Sequence, residues 1–285
     1  MDSAVAKLGR AKVHRDQLTA EAMAYRDRKP IEWSFDQRFD RPDPNESTLA
    51  ARVHIKEQVP KAWGLVVGDV LTNLRAALDH AVYGHAAAKN QLTEAEEKKL
   101  QYPVLQGSEQ WLGAPAVPAT PTSPVKPKVE SAKKKLEPFL DTDVLDVIER
   151  SQPYHSPDPD RHWLNVLNAL VNRDKHRAVR TVAWVSDDFG IAYSEAKVVS
   201  VEAPPVEMIE GVVIATAVLR QAPPKPRPPG YAGSDWRVSR IATYNDVVEK
   251  IEAPPTGDYV PLLGLMNWLV NEVEQLLNDL KAAGC

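Results

Sequence analysis

The hydrophobic pattern changes period several times along the chain. Residues 4–28 have helical composition and stop at Lys29-Pro30. From Ile31 the period falls to two: Ile31, Trp33 and Phe35 alternate with polar residues, and so do Val53 and Ile55. The polar stretch Arg41–Ser47, with two prolines, separates these runs and predicts a β-hairpin over 31–58 with a long loop. Helical periodicity returns at Lys61 and holds to Ala88, opening just after Pro60, which suits the first-turn tolerance for proline. A short charged helix over 92–100, capped by Thr93, is predicted next, then helices over 128–136, 142–150 and 159–177. Asp158 or Asp160 is placed to cap the last of these, and Pro159 suits its start.

Beyond Arg177 the texture becomes β-branched, in runs at 179–186, 189–194, 197–202, 211–220 and 236–245. The short Gly, Asp and Pro breaks between them favour antiparallel pairing. Gly257 to Lys281 closes the chain as an amphipathic helix, with Val260, Leu263, Met266, Val270, Val273 and Leu277 on one stripe. The predicted class is α+β: a helical bundle core, an N-terminal β-hairpin, and an antiparallel sheet inserted before the C-terminal helix. One composite domain over 1–285 is expected, because the last helix should return to the first bundle. Its helical core would be 1–30, 61–178 and 257–282, with the hairpin at 31–58 and the sheet part at 179–245.

Composition narrows the functional classes. The hydrophobic set is 43% and charged residues 26%, so collagen, rods and wholesale disorder are excluded. A net charge of −4 argues against a globally basic nucleic-acid binder, although a local basic cleft stays open. Cys285 is the one cysteine, which excludes a disulfide framework and a Cys-based zinc site. No apolar run approaches the roughly 20 residues of a membrane span, and the N-terminal stretch lacks a signal-peptide core. A soluble, cytoplasmic protein is expected, without membrane contact and without a cofactor. Proline is the outlier, with 24 in 285 residues. It clusters at 113–128 and 222–230, both read as loops, the first as extended or poorly ordered.

Two helices carry their polar groups in stripes. Ala62–Ala88 has three formal charges, Asp69, Arg75 and Asp79, in 27 residues, whereas 26% would give about seven. That poverty predicts a helix buried on most sides. Val67, Val70, Leu71, Leu74, Leu78 and Val82 form one face, while Asp69, Asn73, Ala76, His80 and Ala87 lie together on the other. In the helix ending at Arg177, Trp163, Val166, Leu167 and Leu170 define the core face. Asn165, Asn172 and His176, with Arg161 and Asn168 nearby, line the opposite one. Asparagine is a poor helix former, so such a stripe needs a reason. One is a hydrogen-bond network that fixes packing. The other is a site lined by both stripes, with His80 and His176 as its titratable members. Either way the two stripes should face each other.

Two strings carry a resemblance: GDVLTNLRAALDH (68–80) and LNALVNRDKHR (167–177). With YPV (102–104) and SQPYH (151–155), they resemble a family widespread in actinobacteria and their phages, one that brings no settled activity. The first string contains Arg75-x4-His80. It looks like the signature of the HEPN (higher eukaryotes and prokaryotes nucleotide-binding) superfamily, many of whose members are metal-independent RNases acting as toxins or phage-defence effectors. The resemblance implies RNA as substrate, a homodimer with the motif at its interface, and an antitoxin or phage protein as partner. It makes His80 the acid/base and Arg75 the phosphate holder, with Asp69 or Asn73 as accessory. Two departures stand out. Ala76 follows the arginine where Asn, Asp or His is common, and the 179–245 sheet is foreign to that helical fold.

The chemistry is coherent. Metal-free RNA cleavage deprotonates a ribose 2′-OH and stabilises an anionic phosphorane, tasks suited to an imidazole and a guanidinium. Arg75 and His80 lie about 140° apart on the helix, flanking Thr72, Asp79 and Tyr83. Plainer readings stand beside it. Arg75 can pair with Asp79 at i,i+4, and His80 can bond Asp69 or an Asn in the core. Asp174, Lys175, His176 and Arg177 fit a helix C-terminus through the macrodipole, or Lys175 and Arg177 form a positive rim for RNA beside His176. A metal site from His80 with His85, or from His80, His176 and Asp69, lacks any standard ligand spacing, and His85 falls on the apolar face.

Overall fold

The structure is a computed structural model that describes residues 1–114, 128–176, 183–184, 189–193, 196–203, 209–221, 240–244, 249–253 and 258–285. In chain order the elements are α1 (Asp2–Asp27), β1 (Ile31–Arg38), β2 (Glu46–Ile55), α2 (Ala62–Lys89), α3 (Glu94–Glu97), α4 (Ser108–Leu112), α5 (Ala132–Leu136), α6 (Thr142–Arg150) and α7 (Trp163–His176). Then follow β3 (Ala183–Trp184), β4 (Phe189–Tyr193), β5 (Ala196–Glu202), β6 (Val213–Gln221), β7 (Arg240–Tyr244), β8 (Glu249–Ala253), β9 (Asp258–Pro261) and α8 (Leu262–Ala282). The class is α+β, as the periodicity predicts. The chain forms two compact units. One, mostly helical, comprises Met1–Glu21, Lys61–Thr181 and Glu252–Cys285; the other, mostly strand, comprises Ala22–Pro60 and Val182–Ile251.

In the β unit the hairpin pairs Ile31 with Ile55 through to Arg38 with Thr48. The hairpin is present as predicted, and it is built into a larger sheet. β2 also pairs with β6, and β6 with β5, giving the order β1-β2-β6-β5. The reason is burial: Leu49, Ala51 and Val53 are fully enclosed, so β2 needs partners on both sides and a covered face. Leu49 packs with Ala217 and Leu219, joined by Phe35 and Val198. Glu46 and Ser47, read as loop, are buried in β2. Glu46 is satisfied by Arg220, whose Nε donates to it at 3.1 Å. β4 pairs with β7 and β3 with β8, both antiparallel. β8 was not anticipated, since Glu249-Lys250-Ile251-Glu252 offers one apolar residue to a pattern search.

In the helical unit α2 buries the predicted face, including Val67, Leu71, Leu74 and Leu78. α7 and α8 pack on α2, and α8 also on α6. Local chemistry explains the boundaries. Thr93 and Glu96 form a capping box at α3, the Thr93 N–H donating to Glu96 at 2.8 Å. Ser131 caps α5 by accepting from Lys134 N at 3.1 Å, so the helix begins at Ala132 and not at 128. Val129 instead bridges Ala114. The 159–177 helix splits into a 3-10 turn over Pro159–Arg161, capped by Asp158, and then α7. α8 starts at Leu262 because Pro261, held at φ −57°, ends β9 just before it. α4 had no predicted counterpart. Of the two proline-rich loops, 115–127 and 222–230 lie outside the described residues.

Candidate functional site

Arg75 sits on α2, one turn before Asp79. Its Nη2 donates to Asp79 Oδ1 at 3.0 Å and its Nε reaches Oδ2 at 3.3 Å. The same Nη2 donates to the Tyr102 carbonyl at 2.6 Å, while the Tyr102 N–H donates to Asp79 Oδ1 at 2.9 Å. The ion pair therefore grips both backbone groups of one residue. Tyr102 is buried, and burial pushes its phenol above the usual range. Its hydroxyl hydrogen-bonds Ser151. Gln152 finishes the stitching: it accepts from Leu105 N at 3.0 Å and donates to Pro103 O at 3.2 Å and Ile148 O at 2.8 Å. The YPV and SQPYH strings are thus one hydrogen-bonded assembly anchored on Arg75 and Asp79. Arg75 Nη1 is buried without a partner.

His80 turns elsewhere. Its Nδ1 lies 2.7 Å from Ser3 Oγ of α1, and the ring is partly exposed. Asn73 donates back to Asp69 O of its own helix at 2.8 Å. Asp69, Thr72 and Tyr83 are exposed, and the Tyr83 hydroxyl donates to Glu97 at 3.1 Å, a bond that raises the phenol's pKa. The charge-poor helix is therefore less enclosed than its composition implies, because small and uncharged polar groups stand where charges usually do. Arg75 and His80 are held by different neighbours.

α7 packs on α2. Among the described residues, Asn165 accepts from Gln106 at 3.3 Å and donates to Pro159 O at 3.3 Å, while Asn172 is exposed. The close approach is at Gly68, where a Cβ would lie 2.7 Å from Asp174 Oδ2. Burial, then the neighbouring Asp69 charge, raise the Asp174 carboxyl above its ordinary value. Lys175 is exposed in the last turn and His176 ends the helix; Arg177 lies outside the described residues.

No family model, no curated protein and no solved structure matches the chain.

A polar pair that periodicity hid is that of His85 and Asp141. His85 is buried on the apolar face, its Nε2 3.3 Å from Asp141 Oδ2 but off hydrogen-bond alignment. Lys89 bonds the same carboxylate. Burial first, then the Lys89 charge, lower the His85 pKa, against opposing contributions from Asp141 and the Gly284 backbone. Asp141 is held below the ordinary carboxylate range, chiefly by Lys89. Sequence offered only Asp141's position before α6; no local pattern pairs it with a residue 56 positions earlier. Among the described residues, no three His, Cys, Asp or Glu converge to hold a metal ion. Among them, too, no helix is long and apolar enough to cross a membrane.

Proposed function

We propose that the helical unit is a non-catalytic binding and interaction module, in which Asp, Asn, Arg and His groups serve as structural hydrogen-bond partners. The observation that carries this reading is the engagement of Arg75 by Asp79 and the Tyr102 carbonyl. A guanidinium held this way is not offered to a phosphate. Freeing it would strand a carboxylate and a carbonyl, at about 1–3 kcal/mol. The outer stripe of α2 supports a partner-facing role. Leu65 is 74% exposed, and Asp69, Thr72 and Tyr83 follow on the same side at helical spacing. A charge-poor face that exposes large apolar groups is the composition of a docking surface.

The competing reading is the HEPN-like metal-independent RNase, a toxin or phage-defence effector with His80 as acid/base. It requires Arg75 to release both partners before meeting RNA. Purified protein incubated with RNA, with and without EDTA, separates the two when combined with urea unfolding of Arg75→Ala and His80→Ala. We expect no cleavage that depends on either residue, an earlier transition for Arg75→Ala, and near-neutral stability for His80→Ala. EDTA-insensitive cleavage lost in both variants at unchanged stability would overturn the interaction reading. Sedimentation at rising concentration tests whether a second copy occupies the α2 face, with Leu65→Asp expected to weaken self-association. If wild type and variant both stay monomeric, that face has no homodimer role.

A further inference from the structure

The β unit holds a constellation built from none of the α2 motif residues. In the β1–β2 ladder Glu32 faces His54 and Ser34 faces Arg52, so these residues share one side of the sheet. The opposite side carries Phe35, Leu49, Ala51 and Val53 into the core. Across the diagonal, Ser34 Oγ lies 2.8 Å from His54 Nε2. The other ring nitrogen, Nδ1, lies 3.1 Å from Glu210 Oε1, and Glu210 Oε2 accepts the Ile55 N–H at 2.6 Å. Both carboxylate oxygens are thus used, and they hold the Glu210 carboxyl below its usual range.

This arrangement is ordered for acid–base work. A carboxylate on Nδ1 keeps the proton there and leaves the Nε2 lone pair facing the hydroxyl, as a serine nucleophile needs. The flanking charges are committed to one another: Arg52 to Asp36 at 3.3 Å, Lys56 to Glu32. His54 keeps 44% of its side chain exposed, so an incoming group can reach it. β1 is an edge strand. Lys56 N donates to Pro30 O at 2.8 Å, which sets the alternation of the ladder and turns the Phe35 N–H away from β2. That N–H follows the hydroxyl-bearing residue and, among the described strands, has no ladder partner, which is the position of a donor to a developing oxyanion.

We propose that Ser34, His54 and Glu210 form a nucleophilic site for acyl transfer from small unhindered carboxylic esters. Ser34 Oγ bonds to the ester carbonyl carbon while its proton passes to His54 Nε2. The tetrahedral adduct collapses, the carbon–alkoxide bond breaks, and the alkoxide takes the proton from His54. Water then attacks the acyl-Ser34 by the same route, releasing the carboxylic acid and restoring the hydroxyl. Ser34 and His54 act on the reacting atoms; Glu210 is a positioning residue. With the His54 side chain 44% exposed, the site takes a small or protruding acyl group.

The test uses the full chain with p-nitrophenyl acetate and a fluorophosphonate probe. Expected results are a phosphonyl adduct on the Ser34 peptide by mass spectrometry, its absence in Ser34→Ala, and a hydrolysis rate about 10²–10⁴-fold lower in His54→Gln. Circular dichroism of each variant should match wild type. Glu210→Gln should slow phosphonyl labelling of Ser34 at unchanged circular dichroism, and Glu210→Asp should recover part of that rate; labelling of Glu210→Gln at the wild-type rate would overturn the positioning role. Absence of an adduct on Ser34, or ester hydrolysis unchanged by Ser34→Ala, which would be simple imidazole chemistry at a surface, overturns the proposal.

Discussion

Arg75 is a side chain whose sequence context allows two roles, phosphate holder or partner of Asp79, and in place it bonds Asp79 and the Tyr102 carbonyl. Its side chain is 16% exposed, and its fork geometry fits a carboxylate and a carbonyl together. Arg75→Lys keeps the charge and loses the fork, so it should recover only part of the roughly 1–3 kcal/mol lost in Arg75→Ala, read by urea unfolding. Tyr102→Phe, which strips the hydroxyl from Ser151, should cost about 1 kcal/mol in the same assay. His85 carries a pH signature. Its folded pKa lies below its ordinary 6.5, so between the two values the unfolded chain binds more protons. Its contribution is intact above pH 6.5 and is lost as pH falls through the folded value. Melting temperature should therefore drop on acidification across that window, and His85→Gln should flatten that part of the curve.

Between elements, the meeting of α2 and α7 at Gly68 places a carboxylate against a bare backbone. Because the folded pKa of Asp174 is raised above 3.8, stability linked to it is complete below pH 3.8 and is lost as pH rises through the folded value. The ionised group is thus a cost at neutral pH, and a negative charge in a helix's last turn adds to it. Asp174→Asn should raise the melting temperature at pH 7 and bring no gain below pH 3.8. The sequence reading identified both helices, yet among the described residues Asn165 bonds Gln106 and the Pro159 carbonyl, and Asn73 bonds its own helix. Helical angle says which residues share a side, and only the crossing of the two helices says which residues touch.

For the whole molecule, the decisive link is β2 between β1 and β6. Leu49 is fully buried there beside Ala217 and Leu219, residues far along the chain. Leu49→Ala should cost about 2–5 kcal/mol by chemical denaturation, since neither sheet neighbour can collapse into the space without breaking the ladder. The hairpin and strands β3 to β7 were each legible as strands, while β8 and β9 were not. The union of the hairpin with β6 was not legible, because a strand's period shows that one face is buried and is silent on which strand lies alongside.

What could be read without a structure is local by nature. The hairpin's alternation, the Thr93 cap, the apolar face of α2 and the α6 boundaries follow from interactions between residues close in the chain. The Arg75–Asp79 pair was equally visible, being one helical turn apart. The role of that pair was not, because it is set by Tyr102, whose backbone arrives from another part of the chain. The same holds for His85 with Asp141 and for Ser34 with His54 and Glu210. A polar group's chemistry depends on what desolvates it and what bonds it, and both are supplied by segments brought together only when the chain folds.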